Sequence, residues 1–229
     1  MQTKVVKIDP FQIDENEMKE AAELIRKGEL VAFPTETVYG LGADALHPEA
    51  SKKIYAAKGR PSDNPLIVHI CKFEELVSIA KEVPAQAEKL ADAFWPGPLT
   101  MIVWKNEKVP YETTGGMETV AIRMPKHPVA LKLIEESGCL IAAPSANTSG
   151  KPSPTEASHV KLDLDGKIPM ILDGGPVGIG IESTIIDLTE DTPMILRPGY
   201  ITKEMLEEVL GEEVKIDPGI IASDSQIGR

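Results

Sequence analysis

The chain has 229 residues, of which 42% are hydrophobic and 26% charged, a composition typical of a globular protein that excludes a largely disordered one. Its 36 acidic residues and 24 lysines and arginines give a net charge of −12, which argues against broad binding to a nucleic-acid backbone. The N-terminus lacks a signal-peptide core and no apolar run is long enough to cross a bilayer, so we expect a cytoplasmic protein without membrane attachment.

The predicted elements begin with a helix from about Glu15 to Lys27. Asp14 and Glu17 have the spacing of a capping box, and Gly28 provides the C-terminal stop. Apolar runs typical of strands follow at 30–33, 65–70, 99–104, 119–124, 139–143, 170–173, 183–188 and 194–197. Further helical patterns lie near 49–57, 73–82, 84–94, 127–137 and 202–210.

The order of these elements predicts the fold class. Helices separate some strands whereas other strands follow one another directly, which favours an α+β (mixed α/β) fold with a twisted mixed β-sheet flanked by helices. We predict one domain over residues 1–216. Residues 217–229 lose periodicity and are predicted to form a flexible tail or the start of a linker. The segment 34–44 is predicted to be a polar, glycine-rich loop.

A basic segment after the second predicted helix is the first candidate for chemistry. Lys58, Arg60, Ser62 and Asn64 occupy every second position, so in an extended segment they would share one face. Two cations with a hydroxyl and an amide suit a polyphosphate. From spacing alone, a solvated loop with two stray cations is an equal alternative.

Two further loops carry polar and glycine residues. The segment 143–153 follows an apolar strand and offers hydroxyls and an amide that suit phosphate and ribose, although a connecting loop is an equal alternative. The glycines at 174–180 precede Ser183 but lead into a strand, so they do not form a dinucleotide fingerprint. No Walker A motif is present in the sequence.

Single residues beside predicted strands complete the candidates. Arg123 and Arg197 end two strands, where either an anion site or a surface ion pair would explain them. Thr35 and Thr37 offer two hydroxyls two residues apart. The four histidines lack metal-ligand spacing, and no catalytic triad or carboxylate pair is visible, which argues against a zinc site and against a hydrolase with a protein nucleophile.

Seven segments together resemble the YrdC-like family of L-threonylcarbamoyladenylate synthases over roughly residues 15–210. They are FPTETVYGLGADA, KGRPSDNPLIVHI, WPGPLT, VAIRMP, APSANTSGKPSPT, ESTIIDL and ILRPG. The resemblance implies a twisted mixed sheet that lines a concave, locally positive cavity. It also implies condensation of L-threonine, bicarbonate and ATP into threonylcarbamoyl-AMP and pyrophosphate, for the threonylcarbamoyladenosine modification of tRNA.

The resemblance also implies roles for individual residues. Lys58 and Arg60 would be catalytic. The residues that would bind ATP are Lys58, Arg60, Asn64, Thr119, Ser145, Asn147, Ser153 and Arg197. Those that would bind L-threonine are Thr35, Thr37, His69, Arg123, Ala143 and Ser183. Mg²⁺ would arrive with ATP, without a ligand motif in the protein, and a tRNA threonylcarbamoyltransferase complex would receive the product.

Two alternatives to a synthase remain. The first is a non-catalytic module that binds double-stranded RNA or tRNA, which a pI near 4.9 and the lack of aromatic residues in basic surroundings disfavour. The second is another nucleotide-dependent carbamoyl transfer. Longer members of the family continue through a proline-rich linker into a second domain, so the chain is expected to be a short form or a piece that ends before that linker.

Overall fold

The computed structural model describes residues 1–178 and 180–220. Within these residues, eleven strands form one sheet and eight helices pack around it. The strands are β1 (Lys4–Lys7), β2 (Val31–Pro34), β3 (Tyr39–Asp44), β4 (Ile67–His69), β5 (Leu99–Trp104), β6 (Thr119–Arg123), β7 (Ile141–Ala142), β8 (Met170–Asp173), β9 (Thr184–Asp187), β10 (Met194–Arg197) and β11 (Lys215–Ile216). The helices are α1 (Glu15–Arg26), α2 (Pro48–Lys58), α3 (Phe73–Ile79), α4 (Ala85–Phe94), α5 (Tyr111–Thr114), α6 (Pro128–Ser137), α7 (Ala157–Leu164) and α8 (Lys203–Leu210).

The sheet mixes parallel and antiparallel pairing. Its strand order is β1-β8-β2-β3-β7-β4-β6-β5-β9-β10-β11. Strands that follow one another directly, such as β2 and β3, run antiparallel, whereas β4 and β6 run parallel and are separated in the chain by α3, α4, β5 and α5. This arrangement confirms the predicted fold class, a mixed sheet flanked by helices.

Both faces of the sheet are buried. On β2, Val31 and Phe33 point into a core formed with α1 and α6, whereas Ala32 points into a larger core on the opposite face. The larger core includes residues of α2, α3, α4, α7 and α8. Burial on two faces explains why several strands are continuous apolar runs without polar alternation.

The first helix begins at the predicted residue, but of the predicted capping box the structure shows only the half formed by Asp14. The Asp14 carboxylate accepts hydrogen bonds from the backbone N–H groups of Asn16 and Glu17, at 2.9 and 3.1 Å. The helix ends at Arg26, one residue before the predicted end, and Gly28 follows with a φ of 81°. Local capping chemistry therefore fixes both ends of this helix.

The prediction that 34–44 is a loop is wrong, because β3 occupies Tyr39–Asp44. Gly42 explains the error: a Cβ atom there would lie 2.7 Å from the Phe33 ring and 2.8 Å from Ile141. The strand therefore needs glycine where it packs tightly between neighbours, and glycine reduces the sequence signal for a strand. Four short elements were also not predicted, namely β1, β11, α5 and α7.

The predicted end of the domain falls just after β11, which pairs with β10. Of the predicted tail, residues 221–229 lie outside the described residues, and the boundary at 216 stays a prediction. No helix in the described ranges is long and apolar enough to cross a membrane.

Candidate functional site

A cavity of about 260 Å³ opens over one end of the central strands. It lies where β4, β6 and β10 end and where the loops after β2 and β7 meet the residues just before β9. Nine of the predicted site residues line it: Thr35, Thr37, Arg60, His69, Arg123, Ala143, Ser145, Ser183 and Arg197. The sheet thus brings together residues that are up to 162 positions apart in sequence.

The other predicted site residues are not among the residues that line the cavity. They are Lys58, Asn64, Thr119, Asn147 and Ser153. The Lys58 ammonium donates to the Ser145 carbonyl and lies 3.5 Å from Oδ1 of Asn147, so both Lys58 and Asn147 support a lining residue. Ser153 donates to Glu182 over 3.4 Å. Asn64 is exposed, and its carbonyl accepts a hydrogen bond from Tyr55.

The structure corrects the prediction that residues 58–64 form one extended row. Lys58 is the last residue of α2, and Gly59 caps that helix in the left-handed region with a φ of 65°. The chain reverses there, so Lys58 is buried while Ser62 and Asn64 are exposed. Only Arg60 of this segment reaches the cavity directly. The alternating spacing does not place the four side chains on one face because a helix end interrupts it.

Burial makes Lys58 an unusual cation. Its side chain is enclosed by the segment 145–147, and desolvation, together with the nearby Arg60, lowers its pKa to about 8. A buried ammonium with a lowered pKa gains most from a new negative neighbour. Lys58 is therefore suited to an anionic ligand.

Arg60 has an unsatisfied donor beside the cavity. Its Nη2 donates to the Pro65 carbonyl over 3.2 Å, but its buried Nε has no hydrogen-bond partner among the described residues. An unpaired buried N–H is costly, and a ligand oxygen would remove that cost. The Nε hydrogen of Arg60 could therefore be donated to an oxygen of a bound ligand.

Arg123 is held in place by three different groups. Its Nε donates to the Gly97 carbonyl and its Nη1 to the Thr37 hydroxyl, both over 3.3 Å, while its Nη2 is paired with Glu36. The Arg123 side chain is 4% exposed and that of Glu36 is 13% exposed. This buried pair fixes the guanidinium, and two of its five N–H groups remain for a ligand.

Arg197 forms hydrogen bonds with the two residues before β9. Its Nη1 pairs with Glu182 over 3.1 Å, and its Nε and Nη2 donate to the carbonyl and hydroxyl of Ser183 over 3.0 and 3.1 Å. Glu182 and Ser183 both line the cavity. A cationic side chain and a hydroxyl thus face the same space.

The His69 ring gives the side of the cavity near β4 an uncharged hydrogen-bond acceptor. Burial and the nearby Arg123 lower the pKa of His69 to about 3, so the ring is uncharged at neutral pH. Nδ1 of His69 lies 3.0 Å from the Ile67 carbonyl, which can only accept, so Nδ1 holds the hydrogen and Nε2 is an acceptor. The Thr37 hydroxyl, 2.9 Å from that of Thr35, lies nearby.

Sequence reasoning missed two acidic residues of the site, Glu36 and Glu182. Each lies next to a predicted hydroxyl residue and is paired with an arginine from a distant strand. Their position inside the recognised motifs was a signal, but the pairing depends on tertiary contacts. In the described part of the chain, no group of three acidic, histidine or cysteine side chains is arranged to hold a metal ion.

Comparisons with known proteins agree with this arrangement. The family model Sua5_yciO_yrdC, described as telomere recombination, matches residues 23–199. A threonylcarbamoyl-AMP synthase from Pyrococcus abyssi is 59% identical over 91% of this chain and 61% of its own length. One from Bacillus subtilis is 55% identical over 93% of this chain and 61% of its own length.

A solved structure extends the comparison to the fold. The crystal structure of P. abyssi Sua5 complexed with L-threonine has a TM-score of 0.93 and 57% identity, over 96% of this chain and 64% of that one. The present chain therefore spans about three fifths of the length of the curated relatives that it matches. With the family model matching most of its residues, the chain belongs to the Sua5/YciO/YrdC family.

Proposed function

We propose that this chain is a threonylcarbamoyl-AMP synthase, which condenses L-threonine, bicarbonate and ATP and releases pyrophosphate. One observation carries the proposal: a single cavity combines Arg60, Arg123 and Arg197 with the uncharged, hydrogen-bond-accepting His69. Cations suit phosphate and carboxylate, while an acceptor suits the hydroxyl of an amino acid. The names of relatives at 59% and 55% identity support the same reaction.

The threonine half of the cavity would be the side near β4 and β6. Arg123, already fixed by Glu36, would bind the substrate carboxylate through its remaining N–H groups. Nε2 of His69 would accept a hydrogen bond from the threonine hydroxyl. The related P. abyssi protein was crystallised with L-threonine, which supports this choice of substrate.

The nucleotide half would be the side near Arg60 and Arg197. In the proposed step, an oxygen of threonine carbamate attacks the α-phosphorus of ATP, a new P–O bond forms, and the bond to pyrophosphate breaks. The unpartnered Nε of Arg60 and the buried ammonium of Lys58 would stabilise the charge on the phosphates.

Mg²⁺ would enter this site as part of the ATP substrate. The described residues hold no cluster of acidic ligands that would bind the ion by itself, so phosphate oxygens and water would supply most of its coordination. The product would pass to a tRNA threonylcarbamoyltransferase complex. The reaction is proposed for the cytoplasm, which supplies ATP, threonine and tRNA together.

The test measures pyrophosphate release from ATP by the purified chain. We expect release only when L-threonine and bicarbonate are both present, together with an AMP adduct of carbamoylated threonine identified by mass spectrometry. Release without threonine, or none in the complete mixture, would contradict the proposal. Saturable tRNA binding without pyrophosphate release would favour the RNA-binding alternative instead.

A further inference from the structure

We infer that the buried Thr100 hydroxyl directs the hydroxyl hydrogen of Ser183 into the cavity, so that Ser183 donates a hydrogen bond to the carboxylate of bound threonine. The inference rests on the proposed synthase function. Thr100 lies outside the cavity lining and acts through Ser183, so it is a positioning residue.

The sheet holds the two hydroxyls in contact. Thr100 lies on β5 and is fully buried, and its Oγ1 is 2.6 Å from Oγ of Ser183. Strand β5 pairs in parallel with β9, and Ser183 is the residue immediately before β9. Because backbone pairing fixes this separation, the contact does not depend on a flexible loop.

Counting hydrogens decides which hydroxyl is the donor. A guanidinium only donates, so the Ser183 oxygen accepts from Nη2 of Arg197 over 3.1 Å. If Ser183 also donated to Thr100, the Thr100 hydrogen would be buried without an acceptor among the described residues, which is unfavourable. If Thr100 donates, both acceptor positions of Ser183 are filled. The Ser183 hydrogen then has only the cavity to point into.

The neighbours of Thr100 indicate which ligand group receives this hydrogen. On the other side of β5, Thr100 is paired with Arg123 of β6. The Ser183 hydroxyl and the Arg123 guanidinium therefore flank the same part of the cavity, one as a neutral donor and one as a charged donor. Two donors on one side of an amino-acid site fit a carboxylate, which only accepts hydrogen bonds.

The experiment compares isosteric substitutions at two buried threonines. Thr100→Val removes the hydroxyl, and Thr100→Ser keeps it. Thr113→Val is the matched control, because Thr113 is equally buried and its Oγ1 donates to the Ala45 carbonyl over 2.6 Å and lies 2.8 Å from the Ser51 hydroxyl, neither of which lines the cavity. The measurements are the calorimetric Kd of L-threonine, kcat, and the KM values of threonine and ATP.

We expect Thr100→Val to raise the Kd and KM of threonine about tenfold, as loss of an oriented hydrogen bond to a charged group should. The KM of ATP should stay at the wild-type value, kcat should change less than about threefold, and Thr100→Ser should restore threonine binding. Thr113→Val should match the wild-type threonine values. In a Ser183→Ala background, adding Thr100→Val should change nothing further.

Two outcomes overturn the inference. One is a threonine KM in Thr100→Val equal to that of the wild type, and the other is an effect that adds in full to that of Ser183→Ala. If Thr100→Val does not fold, Thr100→Ala is compared in the same way. Absence of pyrophosphate release by the wild type contradicts the proposed function separately, since threonine binding is measured by calorimetry.

Discussion

Two of the cavity arginines are already paired with carboxylates, which limits how strongly each attracts an anion. Arg123 is paired with Glu36, and Arg197 with Glu182, so each pair has no net charge. Among the described residues, the buried Lys58 ammonium lies at hydrogen-bonding distance from two neutral oxygens, the Ser145 carbonyl and Oδ1 of Asn147. The excess positive charge near the site therefore comes from the segment around residue 58.

The charge of Lys58 gives a prediction for the pH dependence. With a pKa lowered to about 8, the ammonium is charged below that pH and neutral above it. The kcat/KM for ATP should therefore fall about tenfold per pH unit above pH 8, because the neutral amine no longer attracts phosphate. In Lys58→Arg, which stays charged, this alkaline decrease should disappear from initial-rate profiles. An unchanged decrease would assign it to another group.

Removing the two cations gives a second prediction. Lys58→Ala and Arg60→Ala should each reduce pyrophosphate formation by about one to three decades while the protein stays folded. Lys53→Ala is the control, because Lys53 lies on the same helix but forms an exposed ion pair with Glu29. Near-normal turnover in the folded Lys58→Ala and Arg60→Ala variants would contradict their proposed roles.

The neutral acceptor at His69 predicts the choice of amino acid. Valine has the branching of threonine but cannot donate to Nε2, so its kcat/KM should be about two to four decades lower. Serine keeps the hydroxyl and loses one methyl group, so we expect a loss of about tenfold or more. Competition assays with product mass spectrometry measure both ratios. Efficient use of valine would show that this pocket does not recognise the threonine hydroxyl.

At the scale of elements, local signals in the sequence were sufficient where capping residues define the ends. Helix α1 has its predicted start because Asp14 caps it. The end of α2 was likewise predicted to within one residue, but the alternating polar pattern of the next residues wrongly suggested that Lys58 belongs to an extended segment. Strand β3 could not be predicted from composition, because Gly42 is required by contacts with two other strands.

In the site too, features set by local sequence could be predicted, whereas features set by contacts between distant strands could not. Family motifs identified nine of the residues that line the cavity, since those nine lie in or beside recognisable motifs. They did not identify Glu36, Glu182 or Thr100, because these act through pairs formed between distant strands. The hydrogen-bonding direction of a hydroxyl is likewise set by neighbours that only the fold brings together.

A glycine beside the Arg60 loop gives a prediction at this scale. Gly115 ends α5 with a φ of 62°, and a Cβ there would lie 2.5 Å from the Asp63 carbonyl oxygen. Gly138 ends α6 with a φ of 65° and has open space instead. Gly115→Ala and Gly138→Ala should each lower the free energy of unfolding by about 1 kcal/mol, because alanine is disfavoured in the left-handed backbone region.

Only Gly115→Ala should also displace the backbone of residues 63–65, which lies next to Arg60. We therefore expect a larger loss of thermal stability and a raised KM for ATP in that variant alone. Differential scanning calorimetry and initial rates measure the two effects. Equal melting temperatures for the two variants would contradict the role of close packing at Gly115.

At the scale of the whole molecule, the cavity depends on a sheet whose two faces are buried by different sets of helices. Neighbouring residues of β8 point alternately into the two cores, with Ile171 in one and Leu172 in the other. The cavity residues lie at the ends of strands in the middle of this sheet. Loss of either core would separate those strand ends, so the site and the fold should be lost together.

This coupling gives the last prediction, which concerns unfolding. Trp95 precedes β5 and Trp104 is its last residue, so their fluorescence reports the sheet beside the cavity, whereas far-ultraviolet circular dichroism reports all elements. Because one sheet joins both cores, the two signals should give coincident denaturant transitions. ATP and threonine, each present at about 100 times its Kd, should each raise the free energy of unfolding by about 2.7 kcal/mol when they bind only the folded state. Both signals should shift equally, whereas a fluorescence transition that precedes the loss of circular dichroism would show that the cavity region unfolds as a separate unit.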